Sequence, residues 1–282
     1  MNREYTAFEI NIENRVAHLT LNKPEALNKL VKEFWAELPL VVNELHNEGS
    51  VRCILISSTG KHFSAGIDTD VFANVDNQNH ESANDPNIKS EALYHFVKNV
   101  QETFTALEKS RIPIIMAVQG GCVGGALDFA CVADFRFATE NAFFCIEETN
   151  IGMTADAGTF PRLCRILDEG WVKQLAYTGE RFSAEKALKF GLVNELFETQ
   201  EQMLEHAKEV ANKIAKKNPL AVTGCKTMIN YARDHSTADC LDYIALWNAA
   251  MFPIAHVEES FVARMEKRDP RYLDLLPIKE KF

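Results

Sequence analysis

The 282-residue chain carries 30 Lys and Arg against 40 Asp and Glu, a formal charge of −10, with 46% hydrophobic and 10% aromatic residues. That is ordinary globular composition, long enough for one large domain or a core with an appended helical part, and its acidic balance argues against a nucleic-acid partner, whose phosphates need surplus Lys and Arg. Seven scattered cysteines without a CxxC pair argue against a zinc site or disulfide scaffold, and the absence of a signal-like N-terminus, a peroxisomal tripeptide or a membrane-length apolar run makes a cytoplasmic protein the expectation.

YTAFEINIE and RVAHLTLN alternate apolar and polar residues, which predicts two half-buried strands. From Glu25 to about His46 the spacing of Leu27, Leu30, Val31, Phe34, Trp35 and Leu38 predicts a helix, with a kink or break at Pro39. VRCILISS reads as a buried central strand. The polar stretch 70–90 (DVFANVDNQNHESANDPNIKS) is expected to be a mobile loop or short irregular helix over a site. A helix over Glu91–Lys109, a strand PIIMAVQG, a glycine turn, a helix over Gly125–Ala133, a strand FRFAT and a short AFFC segment follow. Strands alternating with helices argue for an α/β fold. Beyond Gly158 the reading is mostly helical, with Ser183 as N-cap of AEKALKFG and Gly191 as its stop; after the short LVNELF, residues 199–267 show no strand signal. The expected organisation is a sheet-containing core over residues 1–198 and a helical region over 199–282.

Two strand-to-helix turns stand out, GKHFSAGIDTD after VRCILISS and VQGGCVGGALD after PIIMAVQG. A helix that begins after glycines presents unpaired backbone N–H groups, and two such turns side by side can aim two donors at one oxygen. Each turn alone is equally compatible with glycine placed for steric reasons. GGCVGGA breaks the dinucleotide fingerprint. Behind the second turn lie Asp128, Glu148 and Asp156. Taken singly, Asp128 complements a helix dipole, and Asp156, in TADAGTF, reads as N-cap of GTFPRLCRIL. Adjacent Glu147 and Glu148 must point different ways. Taken together, carboxylates among small and apolar residues are candidates for proton transfer near neutral pH.

LNKPEALN, HFSAGID, PIIMAVQGGCVGGALDFACVADFRFAT and FSAEKALKFGLVNELF resemble the enoyl-CoA hydratase/isomerase (crotonase) superfamily, over nearly the whole chain from about Phe8. The resemblance implies a crotonase-like spiral of ββα units with a helical C-terminal trimerisation region, commonly a homotrimer or a homohexamer. It also implies an acyl-CoA thioester substrate, with coenzyme A as part of the substrate rather than a cofactor. The backbone N–H groups of Ile67 and Gly125 would form an oxyanion hole for the thioester carbonyl, and Lys61, Ala65 and Asp68 would contact coenzyme A. A typical hydratase has Glu at the positions of Asp128 and Glu148 and Gly at that of Asp156. The Asp–Glu–Asp pattern here, with NKLVKEFWAEL and FVARMEKRD, is similar to the dienoyl-CoA isomerase branch, which moves double bonds from 3,5 to 2,4 in fatty acid β-oxidation. Taking a proton from C2 and returning one at C6 calls for an acid–base group near each carbon; Glu148 is assigned as base at C2, Asp156 as acid at C6 and Asp128 as a tuning or relaying group, with the carbon that each serves left open. The alternatives are a 2-enoyl-CoA hydratase and a non-catalytic acyl-CoA-binding protein. Arg264, Lys267 and Arg268 read first as a charged helix face; no histidine has ligand spacing, so no metal is assigned; Cys122 is a candidate pocket residue, while Phe143, Phe144 and Phe160 read as core.

Overall fold

The computed structural model describes residues 4–73 and 85–278. One sheet runs in the order β1 (Glu9–Glu13), β2 (Val16–Leu21), β3 (Cys53–Ser58), β4 (Ile114–Val118), β6 (Phe135–Thr139) and β9 (Glu195–Phe197), antiparallel only between β1 and β2. A second sheet joins β5 (Gly121–Val123), β7 (Phe143–Cys145) and β8 (Phe182–Ser183). The chain steps from the first sheet to the second and then into a helix: β4, β5, α4 (Gly125–Cys131), and again β6, β7, α5 (Thr159–Leu163). A parallel bridge between Ser64 and Cys122 places the segment after β3 on the same path. This is the ββα spiral that the sequence implied.

β3 and β4 are buried on both faces, which is why they read as continuous apolar runs. Strand alternation divides them between two cores. Ile54, Ile56, Ile114, Met116 and Val118 join the larger cluster, while Cys53, Leu55, Ile115 and Ala117 face Met203, Ala207, Ala211 and Ala215 of α8 (Gln200–Ala215). Four buried side chains at a spacing of four residues make one stripe along α8, so the first helix of the 199–282 region lies on the sheet. The helices α9 (Pro219–Tyr231), α10 (Thr237–Met251) and α11 (Ile254–Met265) follow. Lys226 of α9 is buried and donates to the Ile112 carbonyl and to Asp134 Oδ2, both at 2.9 Å, which ties that helix to the core. α10 buries no residue, and Leu241, Leu246, Phe252, Ile254 and Phe261 are exposed along α10, the turn after it and α11.

The first long helix starts later than its apolar spacing predicts. Pro24–Ala26 form a 3₁₀ turn, Leu27 and Asn28 take left-handed conformations, and α1 runs Lys32–Glu48. Pro39 lies inside α1 without breaking it. Its missing N–H frees the Trp35 carbonyl, which accepts from the Thr103 hydroxyl of α3 (Pro86–Lys109) at 3.3 Å. α3 itself begins before Glu91, because Asp85 caps it by accepting from the Asn87 and Ile88 N–H groups. Of the 70–90 stretch, Asp70–Ala73 form α2 and residues from 86 belong to α3; the expected loop at 74–84 lies outside the described residues. Ser183 caps α7 (Ala184–Lys189) through the Lys186 N–H, and Gly191 follows at a φ of 89°.

Asn28 organises the approach to the first glycine turn. It is buried, its Oδ1 accepts from the Lys23 N–H at 2.8 Å, and its Nδ2 donates to the carbonyls of Thr59 and His62. Asn is among the few residues that tolerate its left-handed backbone. Asn28→Ala removes three side-chain hydrogen bonds, leaves the half-buried Lys23 N–H and Thr59 carbonyl without them, and strains the backbone, so chemical denaturation should show a loss of about 2–3 kcal/mol. A loss below about 1 kcal/mol would remove Asn28 from this role.

Candidate active site

Two backbone turns meet here. The Gly66 carbonyl accepts from the Leu30 N–H at 2.8 Å, and the Leu30 carbonyl accepts from the Asp68 N–H at 3.2 Å. A trans peptide sets its N–H opposite to its C=O, so the Ile67 N–H points away from Leu30. In the second turn the Gly124 carbonyl accepts from the Leu127 N–H at 2.7 Å, which leaves the Gly125 N–H facing outward at the start of α4. Among the described residues neither N–H has a protein acceptor. The turns touch: an ideal Cβ on Gly125 would lie 2.6 Å from Ile67 Cγ1 and 3.5 Å from the Ile67 nitrogen. One on Gly66, whose φ is 87°, would lie 2.4 Å from the Val123 oxygen. The Gly121 N–H donates to His62 Nδ1 at 2.9 Å, which clamps the second turn to the first; no sequence signal marked that histidine.

Three carboxylates gather beside these turns. Asp128, on α4, is 1% exposed; its Oδ1 accepts from the Thr159 hydroxyl at 2.6 Å, and its Oδ2 is buried without a partner. Glu148 opens a 3₁₀ turn over Glu148–Ile151, and its Oε1 would lie 3.4 Å from a Cβ on Gly124. Its Oε2 is buried and unpartnered. Burial raises the Asp128 carboxyl to about 6, against the lowering effect of the Thr159 hydrogen bonds. Burial, and then the charges of Asp128 and Asp156, raise Glu148 to about 7. Asp156 is also raised, chiefly by burial. Glu147 points elsewhere, accepting from Asn150 Nδ2 at 3.0 Å.

Asp156 is not a helix cap. Gly158 occupies the N-cap of α5 with no side-chain bond, so the capping reading gives way. The Asp156 carbonyl accepts from Gln101 Nε2 at 2.8 Å, and Arg162 of α5 donates to Thr105 Oγ1 and pairs with Glu108 at 3.1 Å. Gln101, Thr105 and Glu108 share one face of α3, which thereby holds the whole 156–162 segment. Asp156 shares an apolar cavity with Trp35, Ile67, Val71, Phe96 and Val100. Trp35 is fixed there by its Nε1–H, which donates to the Leu30 carbonyl at 3.1 Å.

Residues expected at the mouth are placed as follows. Lys61 is exposed, and His62 lies near both Lys61 and Arg181, so that burial and then the charges of these two cations lower its pKa. Arg181 lies 4.3 Å from the centre of the Phe143 ring and was not marked in the sequence. The Ala65 N–H donates to the Leu27 carbonyl at 3.0 Å, and Asp68 sits 3.7 Å from Lys29 Nζ. Cys122 is fully buried in the core and does not line the cavity, while Phe144 packs in the core as expected. Of the expected charged helix face only Arg264 lies on α11; Lys267, in a left-handed conformation, and Arg268 follow the end of the helix, where Arg268 pairs with Glu259 and Glu266. Among the described residues no group of three His, Cys, Asp or Glu is arranged to hold a metal ion, and no helix is long and apolar enough to cross a membrane.

Carboxyls raised by burial are protonated in the folded state at pH values where the unfolded chain has released the proton. The stability Glu148 contributes is therefore complete below its ordinary value of 4.5 and disappears as pH rises through about 7. Glu148→Gln should exceed the wild type at pH 8 by on the order of 2 kcal/mol in urea denaturation, with little difference at pH 4. An advantage that grows on acidification would contradict the burial argument.

Comparisons with known proteins identify the family. A family profile described as Enoyl-CoA hydratase/isomerase matches residues 11–275. The Arabidopsis thaliana protein named Delta(3,5)-Delta(2,4)-dienoyl-CoA isomerase, peroxisomal, is 37% identical over 96% of this chain and 98% of its own. The mitochondrial protein of that name from Mus musculus is 36% identical over 92% of this chain and 79% of its own. A short-chain-enoyl-CoA hydratase of Clostridium acetobutylicum is 31% identical over 91% and 93%. Among solved structures, an enoyl-CoA hydratase from Bacillus anthracis superposes with a TM-score of 0.84 at 28% identity, covering 95% of this chain and 99% of that one. With two glycine turns, one buried and two half-buried carboxylates, and these relatives, the chain is an enzyme of the enoyl-CoA hydratase/isomerase family.

Proposed function

We propose that this enzyme isomerises 3,5-dienoyl-CoA thioesters to 2,4-dienoyl-CoA thioesters in fatty acid β-oxidation. The observation that carries the reading is Asp156: a carboxylate freed from any capping role, raised by burial, and set in an apolar cavity that also contains Ile67. The thioester oxygen is bound by the N–H groups of Ile67 and Gly125. Glu148, beside Gly124, removes a proton from C2, and the electron pair moves through the diene as C2=C3 and C4=C5 form. Asp156 delivers a proton to C6. One proton leaves and one arrives, so the reaction is redox-neutral and calls on coenzyme A only as part of the substrate. A base raised to about 7 is half-ionised at neutral pH, where its basicity and its availability are balanced. Asp128 supplies the neighbouring charge that helps hold Glu148 there.

Lys61 and Arg181 at the mouth suit the phosphates of coenzyme A, so the acidic chain meets its substrate with local cations. Ala65 and Asp68, on the same turn, stay in the reading as coenzyme A contacts. The exposed Leu241, Leu246, Phe252, Ile254 and Phe261 support self-association as a trimer or hexamer through the 199–282 region. Seven free thiols fit a reducing, cytosol-like compartment, although the two isomerase relatives are named for peroxisome and mitochondrion. A 2-enoyl-CoA hydratase is favoured by the Asp128–Glu148 pair and by the hydratase relatives, but it gives Asp156 no task.

Asp156→Asn should lower turnover of a 3,5-dienoyl-CoA by about 10²–10⁴-fold, with thioester binding largely retained. Growth of the 2,4-dienoyl absorbance reads the first, and calorimetric titration with a saturated acyl-CoA reads the second. A loss under about tenfold would sink the C6 assignment, and rapid hydration of a 2-enoyl-CoA by a wild type inert to the diene would make the enzyme a hydratase.

A further inference from the structure

We propose that Thr159 is a positioning residue whose hydroxyl keeps the negative charge on Asp128 and so makes Glu148 the stronger base. The proposal rests on the isomerase reading and deepens it.

Thr159 is the first residue of α5 and is 1% exposed. Its hydroxyl is not needed to start that helix, because Gly158 holds the N-cap position. The one bond it makes is to Asp128 Oδ1 at 2.6 Å, and the Thr159 N–H acts on the same carboxylate. Oδ2 is left buried and bare. A hydroxyl that donates to a carboxylate stabilises the charged form against the cost of burial. Val has nearly the shape of Thr and suits a buried site, so the hydroxyl here points to a function in charge rather than in packing.

The groups around Asp128 show how little else favours its charge. Asp156 from the preceding loop opposes ionisation, and Glu148 from the 3₁₀ turn shares the same repulsion. Cys131 on its own helix and Cys122 on β5 are buried thiols that bring no positive charge. Arg162 of α5 is the one cation among them, and its influence on Asp128 ranks below the Thr159 bonds; its guanidinium is already engaged by Glu108. Thr159 is thus the main stabiliser of the Asp128 anion. Without it Asp128 holds a proton over a wider range of pH, its repulsion of the Glu148 anion disappears, and Glu148 becomes a weaker base.

The test compares Thr159→Val, Thr159→Ser, Asp128→Asn and the Val/Asn double variant, reading kcat/KM for a 3,5-dienoyl-CoA against pH. The Glu148 carboxyl is titrated in parallel by ¹³C NMR, assigned through Glu148→Gln. Thr159→Val should move the acidic limb and the Glu148 titration to lower pH by about half a unit or more and lower the plateau. Thr159→Ser should keep the wild-type profile. Asp128→Asn should shift the limb the same way, and the double variant should move no further than Asp128→Asn alone. A merely structural role would lower the melting temperature and leave both titrations in place, which overturns the proposal. Should Thr159→Val fail to fold, an unmoved limb in Asp128→Asn overturns it equally. If the wild type turns over no diene, the isomerase reading fails separately, and the NMR titration still decides for or against Thr159.

Discussion

The site depends on a contact between two backbones. Gly66 and Gly125 let the turn after β3 and the turn after β4 approach until a single Cβ on either would clash. That approach sets the Ile67 and Gly125 amides side by side with no acceptor among the described residues, which is costly unless a ligand or water satisfies them. Much of the surrounding structure maintains the contact: Asn28 shapes the entry to the first turn, His62 clamps the second, and parallel bridges join Leu30 to Ile67 and Ser64 to Cys122. Donors that are already aimed need no reorganisation when charge develops on an oxygen between them.

The carboxylates add a second cost of the same kind. Asp128 and Glu148 each carry a buried oxygen without a partner, and among the described residues no arginine or lysine forms an ion pair with either. Natural folds place an uncompensated charge where chemistry uses it, since burial moves its proton affinity toward neutrality. The fold meets the cost through α3, whose Gln101, Thr105 and Glu108 hold the loop and helix that present Asp156 and Thr159. Other ion pairs, Lys226 with Asp134 and Arg52 with Asp274, bind the C-terminal region to the core.

The spiral was legible because its strands are buried on both faces and its helices carry apolar stripes, both of which are patterns of residue type. The glycine turns were legible for a similar reason, as only glycine permits that approach. The start of α1 was not, because Leu27 has helical spacing but a left-handed backbone fixed by contacts made far along the chain, Asn28 to Thr59 and His62. The role of Asp156 turned on whether the helix behind it began at Gly158, and helix boundaries are set by a residue or two that periodicity does not resolve. Thr159, Gln101, His62 and Arg181 left no mark for a related reason. Each acts through one partner distant in sequence, and a single polar residue has no period.

The three carboxylates also bear on how such a site resets between turnovers. In the proposed isomerisation Glu148 gains a proton as Asp156 loses one, so the net charge of the group is unchanged, and a proton must pass from Glu148 back to Asp156 before the next turnover. Their titrations are coupled, since Asp128 and Asp156 both raise Glu148. A proton arriving at one carboxylate therefore favours its departure from another. A low-dielectric pocket that keeps its total charge has little solvation to rebuild between turnovers. In the same proposal three acids, rather than two, give that constancy a fixed reference, because Asp128, whose Oδ1 accepts from the Thr159 hydroxyl, would hold its charge while the other two exchange a proton.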